Sequence, residues 1–275
     1  MLTGASSGIG AALARELARR GYGLALTARR ADRLTALAEE CRRLGAVVAV
    51  LPADLADTEV AARLVSDTVA AFGRLDALIN NAGYGLPAPF AEVEPADIVR
   101  QLDVNLVTPI LLAKYALPHL VASRGTVINV GSSLSAIAVP AYGVYGTTKM
   151  GIAYWNDALR REVRGSGVHV CLVEPGPVST DFFDAAAGPT GVMSSPWQMV
   201  PPPFAKARPD DVARRIARLI DRPRRRLSVL RRVVWPTRLM GALFRTIPAL
   251  GDLAIGGVMR ARGAKRADRP NPTDS

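Results

Sequence analysis

The feature that most constrains this chain is a glycine-rich turn near its beginning. Residues Thr3–Gly10 read Thr-Gly-Ala-Ser-Ser-Gly-Ile-Gly, and a helical pattern with apolar Ile9, Leu13 and Leu17 follows. The apolar run Leu24–Ala28 then predicts a second strand. Glycines let the backbone approach a pyrophosphate, which binds the free N–H groups and positive dipole of a helix N-terminus. A glycine-rich turn by itself is common and is weak evidence for nucleotide binding. This turn precedes a helix and a strand, and that order predicts a nucleotide-binding unit.

Two arginines follow the second predicted strand. After this strand, Arg29 and Arg30 come before the first acidic residue. That residue is Asp32, which already lies inside the next predicted helix. An acidic residue at this point would accept hydrogen bonds from a ribose 2′-hydroxyl, whereas arginine suits a 2′-phosphate. The charge therefore favours NADP(H) over NAD(H). The alternative is that both arginines only cap and solvate the start of a helix.

Polar and glycine residues follow two further apolar runs. Val47–Leu51 leads into Asp54 and Leu55, and Ala77–Ile79 leads into the sequence Asn80–Gly83. Ligands bind outside the carboxyl ends of the strands in an open parallel sheet. We therefore expect these residues at the same edge of the sheet as the glycine-rich turn.

A tyrosine and a lysine stand four residues apart at Tyr145 and Lys149, which places both on one face of a helix. The ammonium is expected to lower the phenol pKa from about 10 toward neutrality, giving a usable proton donor and acceptor. Ser132 follows the apolar run Thr126–Val130 and supplies a hydroxyl that can polarise a carbonyl. A Tyr-x-x-x-Lys pair alone is frequent by chance, and the alternative is a solvated helix face.

Together these motifs resemble the short-chain dehydrogenase/reductase family, in its single-domain form, over about residues 2–205. The resemblance implies an α/β fold of the Rossmann type: a doubly wound parallel sheet in a three-layer αβα arrangement, with strand order 3-2-1-4-5-6-7 and here a C-terminal helical extension. The matching motifs are Thr3-Gly4-x-x-x-Gly8-x-Gly10, Asn80-Asn81-Ala82-Gly83, Asn105, Ser132, Tyr145-x-x-x-Lys149 and Pro175-Gly176-Pro177-Val178-Ser179-Thr180.

The resemblance implies an NADP(H)-dependent oxidoreductase that interconverts a carbonyl and a secondary alcohol on a fairly apolar substrate. Tyr145 would be the general acid or base, and Lys149 would lower its pKa and bind the nicotinamide ribose. Ser132 would orient the substrate carbonyl. Asn105 would hold a water that links Lys149 to solvent, unless it only kinks its helix. Tyr142 lies seven residues before Lys149 and is expected to pack in the substrate wall.

The resemblance also implies the residues that contact the dinucleotide. A non-catalytic nucleotide sensor or scaffold on the same fold is the alternative, and the intact Ser132, Tyr145 and Lys149 argue against it. The implied cofactor-binding residues are Gly4, Ser6, Ser7, Gly8, Ile9, Gly10, Arg29, Arg30, Asp54, Leu55, Asn81, Ala82, Gly83, Tyr145, Lys149, Pro175, Gly176, Val178 and Thr180.

The first strand departs from the family pattern, because only Met1 and Leu2 precede Thr3. This strand is central in the implied order, and each buried aliphatic side chain contributes about 1.5–3 kcal/mol. We expect the natural start to lie earlier. A version with a longer N-terminus should melt at a higher temperature and bind NADPH more tightly.

The chain length of 275 residues suits one domain with an extension. We predict a catalytic domain over residues 1–231, amphipathic basic helices over 232–260 and a disordered tail over 261–275. Residues 182–209 are expected to form the substrate lid, or else an ordinary surface loop. The lid would contribute an apolar, adaptable wall from Met193, Trp197, Met199 and Phe204.

The net charge of +11 is concentrated at the C-terminus. Residues 206–275 hold 18 Lys/Arg against 6 Asp/Glu, whereas residues 1–205 are nearly neutral. The basic helices either pack on the core or in a dimer interface, or lie on an anionic membrane through residues 222–262. No apolar run reaches the roughly 20 residues of a membrane span. Nucleic-acid binding is not expected, since no reader fold is recognisable.

The two cysteines, Cys41 and Cys171, have no metal-ligand spacing, so no metal site is predicted. No signal peptide is visible. We expect a cytoplasmic protein, either free or peripheral at the inner face of the membrane. The resemblance also implies a homo-oligomer formed through helices near residues 95–123 and 143–164.

Overall fold

Seven parallel strands form one sheet in the part of the chain that the computed structural model describes, residues 1–179 and 206–256. Their order across the sheet is β3-β2-β1-β4-β5-β6-β7, which confirms the predicted fold class and strand order. The strands are β1 Leu2–Thr3, β2 Leu24–Thr27, β3 Val48–Val50, β4 Ala77–Asn80, β5 Thr126–Val130, β6 His169–Glu174 and β7 Arg226–Ser228.

Helices cover both faces of the sheet. Helices α1, α2 and α7 share one buried apolar cluster with the strands, and α3, α5 and α6 share another on the opposite face. Burial of apolar stripes against a sheet is the main stabilising contribution of such helices. The helices are α1 Gly8–Arg19, α2 Ala31–Arg43, α3 Val60–Phe72, α4 Pro95–Leu102, α5 Thr108–Ser123, α6 Gly143–Glu162, α7 Pro209–Asp221 and α8 Arg231–Thr246.

The short first strand lies at the centre of the sheet, as expected. Leu2 pairs with Leu26 on one side and with Ile79 on the other, and its side chain is fully buried. The Met1 ammonium donates a hydrogen bond to the Ala77 carbonyl at 2.8 Å, and burial lowers the pKa of this amine to about 5. The expectation of an earlier start stays a prediction.

One continuous helical stretch runs over Pro95–Ser123, because a π-helical turn at Asp103–Val107 joins α4 to α5. By length and composition alone this stretch could cross a membrane, a test that a core helix also passes. The prediction from the sequence concerned uninterrupted apolar runs, whereas this helix also contains the polar Asp103 and Asn105. Its inner face, including Leu112 and Leu120, is buried in the core.

The two predicted C-terminal helices are present in the described residues. The first is α8, which begins at Arg231, and a second helical stretch covers residues 248–256. Pro248 begins this second stretch, consistent with proline's preference for the first helical turn. Val234 of α8 is fully buried, so α8 packs on the catalytic domain. The predicted tail 261–275 lies outside the described residues.

Candidate active site

A cavity of about 500 Å³ opens at the carboxyl edge of the sheet. It is the edge where an open parallel sheet binds its ligands. Of the predicted site residues, the lining includes Gly4, Ser6, Ser7, Gly8, Ile9, Arg29, Arg30, Asp54, Leu55, Asn81, Ala82, Gly83, Ser132, Tyr145, Lys149, Pro175, Gly176 and Val178.

The glycine-rich turn forms one end of the cavity. Gly4 and Gly8 both have positive φ, a conformation that favours glycine. A methyl group on Gly4 would lie 2.7 Å from Cα of Ala82, so the backbones touch here. Gly10 does not line the cavity. Its missing side chain lets α1 pack on the turn, since a methyl group there would lie 2.1 Å from the Gly4 carbonyl oxygen.

Asn81 braces this turn from the end of β4. Its side-chain amide donates to the Thr3 carbonyl at 3.0 Å and to the Gly4 carbonyl at 3.2 Å. The Thr3 hydroxyl in turn accepts the backbone N–H groups of Asn81 and Ala82 at 3.0 and 3.1 Å. These bonds fix the separation of β1 and β4, and with it the width of the cavity floor.

Three arginines surround the far end of the nucleotide part of the cavity. Arg29 is exposed, and Arg30 donates to the Ser6 hydroxyl at 3.1 Å. Arg100 of α4 donates to the Asp54 carboxylate at 2.7 Å. Burial raises the pKa of this carboxyl, but the hydrogen bond and charge of Arg100 outweigh burial and hold it below its usual value. Arg100 was not predicted.

Ser132, Tyr145 and Lys149 lie together at the middle of the cavity, as their spacing predicts. Ser132 precedes a short 3₁₀ turn, Ser133–Ser135, and its hydroxyl accepts the Leu134 N–H at 3.2 Å. Lys149 is buried and donates to the Val130 carbonyl at 3.1 Å.

The expected lowering of the Tyr145 pKa is not found. Burial raises the pKa of Tyr145 to about 12, and a hydrogen bond with Ser132 lowers it by a smaller amount. Burial also lowers the pKa of Lys149 to about 8. Desolvation is therefore the largest cause of the shift in both pKa values. The spacing of four residues sets their proximity but not their burial.

Asn105 lies in the π-helical turn and is buried. Its amide oxygen accepts the Tyr84 N–H at 3.0 Å, and its amide nitrogen donates to the Tyr84 carbonyl at 2.8 Å and to Thr148 Oγ1 at 3.2 Å. A methyl group on Gly83 would lie 3.0 Å from Asn105 Oδ1 and 3.2 Å from Lys149 Nζ. Gly83 thus leaves a narrow space between these two groups. The water-relay role stays a prediction.

Two further tyrosines line the cavity. The ring of Tyr142 is buried and stands edge-on to the Tyr145 ring, with centroids 6.5 Å apart. This position agrees with the predicted packing role. The hydroxyl of Tyr84 is buried and forms no hydrogen bond among the described residues, and burial raises its pKa to about 12.

The opposite wall comes from the loop after β6 and from α8. Val178, which precedes the predicted lid, forms a bridge with Ala207 near the end of that segment. Thr180 and most of the lid 182–209, including Met193, Trp197, Met199 and Phe204, lie outside the described residues. Val233 and Thr237 of α8 also line the cavity. They were not predicted, although their spacing of four residues was a usable signal.

No group of three or more His, Cys, Asp or Glu side chains within residues 1–179 and 206–256 could hold a metal ion. Cys41 and Cys171 are both buried as free thiols, and burial raises the pKa of Cys171 to about 11. A buried thiol with a raised pKa is a packing residue more than a nucleophile.

Comparison with known proteins identifies the family. Residues 1–188 match the model of the short chain dehydrogenase family, and the chain therefore belongs to that family. It is 39% identical over 186 residues to 11-beta-hydroxysteroid dehydrogenase 1A of Arabidopsis thaliana, a match that covers 66% of this chain and 52% of the relative. The chain thus spans about half the length of this relative.

Solved structures of oxidoreductases are similar over more of the chain. A short-chain dehydrogenase from Sphingobium yanoikuyae in complex with NADPH is 27% identical, with a TM-score of 0.73, and the match covers 100% of this chain and 96% of that one. An alcohol dehydrogenase from Thermococcus sibiricus complexed with 5-hydroxy-NADP is 29% identical, with a TM-score of 0.71 and coverages of 82% and 92%.

Proposed function

We propose that the protein transfers hydride between NADP(H) and the carbonyl or secondary alcohol of a fairly apolar substrate. The proposal depends chiefly on one observation: a single cavity contains the glycine-rich turn and also Ser132, Tyr145 and Lys149. Membership of the family and the nucleotides bound to similar structures support it. The name of the plant relative suggests a substrate of steroid-like size and polarity.

The residues of the nucleotide end fit NADP(H). Gly4 has no room for a side chain, and Gly8 has a positive φ, which together suit close approach of a pyrophosphate to the N-terminus of α1. Arg29 and Arg30 would hold the 2′-phosphate, since guanidinium groups bind phosphate in a bidentate manner. When bound, the nicotinamide supplies or accepts the hydride.

The substrate carbonyl would lie against the Ser132 and Tyr145 hydroxyls. Tyr145 carries its proton at neutral pH, and its hydroxyl would donate that proton to the carbonyl oxygen during reduction. Ser132 would orient that oxygen through a second hydrogen bond. Lys149, with a pKa near 8, is mostly protonated at neutral pH and would bind the nicotinamide ribose.

Proton replacement would use the narrow space beside Gly83. Asn105 Oδ1 and Lys149 Nζ both face this space, which suits a water hydrogen-bonded to both groups. A water so held would connect the buried lysine to solvent and restore the proton that Tyr145 donates.

A screen of NADPH consumption against ketones, aldehydes, steroids and acyl thioesters tests the proposed function. We expect turnover of at least one apolar carbonyl compound by the native protein and none by Tyr145→Phe. Tyr22→Phe is the matched control, because the Tyr22 hydroxyl bonds Asp221 and Tyr22 does not line the cavity. Tight NADPH binding without turnover of any compound would instead favour the non-catalytic sensor or scaffold.

A second copy of the chain is the partner that best fits the outer faces of α5 and α6. Tyr115 and Val121 of α5 and Met150 and Tyr154 of α6 are exposed apolar residues, and Tyr154 is 81% exposed. Faces of this kind are covered in oligomers by self-complementary packing. We therefore keep the expectation of a homo-oligomer as a proposal.

The outer face of α8 suits an anionic membrane surface. Trp235, Leu239 and Leu243 are exposed there, beside the arginines Arg231 and Arg232. Apolar side chains next to arginines are typical of helices that lie on a membrane. A cytoplasmic protein docked in this way would take up apolar substrates from the bilayer.

Vesicles with and without phosphatidylserine test this membrane association. The native protein should sediment with the anionic vesicles, and Trp235→Ser/Leu239→Ser should not. Equal recovery of both proteins in the supernatant would overturn the proposal.

A further inference from the structure

Helix α8 supplies part of the wall of the same cavity that contains the catalytic groups. Val233 and Thr237 are one helical turn apart and both line it, together with Ser132 and Tyr145. The neighbouring Val234 is fully buried, so the inner face of α8 packs against the domain. Side chains of α8 therefore face any molecule that lies beside Tyr145.

A close backbone crossing fixes α8 against the catalytic turn. A methyl group on Gly241 would lie 1.7 Å from the carbonyl oxygen of Ala136, a distance that no Cβ tolerates. Ala136 directly follows the 3₁₀ turn that Ser132 begins. Arg245 donates to the same carbonyl at 3.5 Å. The position of α8 and the position of Ser132 are thus linked through one peptide group.

A buried carboxylate provides a second attachment. Glu174 at the end of β6 is fully buried and accepts hydrogen bonds from Arg226 Nη1 and Ser228 Oγ, each at 3.3 Å. Arg238 Nη1 of α8 forms an ion pair with Glu174 Oε2, the oxygen that Ser228 contacts, at 3.6 Å. A buried charge requires such compensation, and removal of one partner is costly unless others remain. Here Arg226 and Ser228 remain when Arg238 is changed, so the fold should tolerate its loss.

The same carboxylate adjoins the loop that borders the nicotinamide part of the cavity. Glu174 is followed directly by Pro175 and Gly176, and both of these residues line the cavity. A methyl group on Gly176 would lie 3.2 Å from Cβ of Leu230, the residue that precedes α8. The beginning of α8 therefore contacts this loop, and Arg238 ties the second turn of the helix to the strand that carries it.

We propose that Glu174 and Arg238 are positioning residues that hold α8 as the substrate-recognition wall, and that Val233 and Thr237 determine substrate specificity. The inference rests on the proposed function, since it assumes that the carbonyl substrate binds beside Tyr145.

The Thr237 hydroxyl donates to the Val233 carbonyl at 2.8 Å, which leaves the Thr237 hydroxyl oxygen to accept a further hydrogen bond. The wall therefore selects apolar carbonyl compounds that also carry a hydroxyl group away from the carbonyl.

Two variants test the wall and its attachment. Thr237→Val replaces the hydroxyl by a methyl group of the same shape, and Arg238→Gln removes the charge that faces Glu174. Arg238→Lys is the rescue variant. Arg74→Gln is the control, because Arg74 forms an exposed ion pair with Asp76 at the opposite edge of the sheet. Steady-state kinetics would use matched ketones with and without a hydroxyl group away from the carbonyl. NADPH affinity would be followed by fluorescence.

For Thr237→Val we expect the preference for the hydroxylated ketone to fall about tenfold, because the site loses the acceptor that recognises it. For Arg238→Gln we expect KM for that ketone to rise about tenfold, with kcat and NADPH affinity changed less than about twofold. Arg238→Lys should recover most of the loss. An unchanged substrate preference in Thr237→Val, or an unchanged KM in Arg238→Gln, would overturn the proposal.

Hydrogen exchange separates failure of this inference from failure of the proposed function. In Arg238→Gln the amides of residues 231–246 should exchange faster than in the native protein, and those of α3 should not change. If the native protein reduced no carbonyl compound, the proposed function and the specificity role would both fail. Unaltered exchange in the variant would overturn the positioning role independently of any activity.

Discussion

The Lys149 ammonium lies over the face of the Tyr145 ring, 5.9 Å from its centroid, and donates its hydrogen bond to Val130. The lysine thus approaches the aromatic face while its hydrogen bond goes elsewhere. Both side chains are buried, and desolvation displaces each pKa in the direction that disfavours the charged form. The protein therefore holds a protonated phenol beside a lysine that deprotonates easily.

The lowered pKa of Lys149 has a consequence for stability. Its folded value of about 8 lies below the ordinary 10.5, so between these values the unfolded chain binds more protons than the folded one. The free energy of unfolding should then rise with pH in this window. From about pH 7.5 to about pH 9.5 we expect the native protein to gain about 1 to 2 kcal/mol relative to Lys149→Met.

Urea denaturation of both proteins at the two pH values measures this difference. Other titrating groups are shared, so the comparison isolates Lys149. Parallel pH dependence in the two proteins would mean that the lysine has an ordinary pKa in the folded state.

The space beside Gly83 gives a test of the proposed proton relay. In Gly83→Ala the added methyl group would press on Asn105 Oδ1 and Lys149 Nζ, leaving no room for a bridging water. We expect kcat to fall about tenfold, with the melting temperature nearly unchanged. Gly143→Ala is the control, since nothing lies within 4 Å of the methyl group that it would add. If both variants retain the native kcat, Asn105 serves only to kink its helix.

Removing the charge of Arg29 and Arg30 tests their proposed contact with the 2′-phosphate of NADPH. In Arg29→Gln/Arg30→Gln we expect NADPH affinity to fall by about 100-fold or more, because charge-assisted hydrogen bonds to a phosphate contribute about 1.5–3 kcal/mol each and two arginines are changed. NADH affinity should change little. Fluorescence titration with both nucleotides measures the ratio, and Arg33→Gln, on the exposed part of α2, is the control. Equal losses for NADPH and NADH would contradict a specific phosphate contact.

The proposed oligomer depends on the exposed face of α5 and α6. Tyr154→Glu should convert the native assembly into a smaller species, because a charge would have to be buried in the interface. Light scattering coupled to size exclusion measures the mass directly. A monomeric native protein would contradict the proposal, as would a variant of unchanged mass.

Much of the fold could be predicted from the sequence because each buried strand is a short apolar run with a polar end. The motif order then placed Ser132, Tyr145 and Lys149 together. Arg100 could not be found in this way, because its partner Asp54 is 46 positions earlier and no local pattern joins them. The pKa of Tyr145 was misjudged since it depends on burial by distant segments.

The role of α8 was missed for a similar reason. The basic helices over 232–260 were expected to pack on the core or lie on a membrane, whereas residues in the first two turns of α8 meet the cavity. Gly241 is informative only once Ala136 is known to lie opposite. Contacts between parts of the chain about 100 residues apart are decided by tertiary packing, and no periodicity encodes them.

Hydride transfer to a carbonyl held by Tyr145 can be followed directly with NADPH that carries deuterium at the transferable position of its nicotinamide, and with the carbonyl compound that is reduced best. We expect stoichiometric deuterium on the carbinol carbon with the native protein. With Tyr145→Phe the rate should fall at least about 10³-fold, while NADPH affinity stays within about threefold. Deuterium absent from the product, or native-like transfer by Tyr145→Phe, would show that Tyr145 does not hold the carbonyl for hydride transfer.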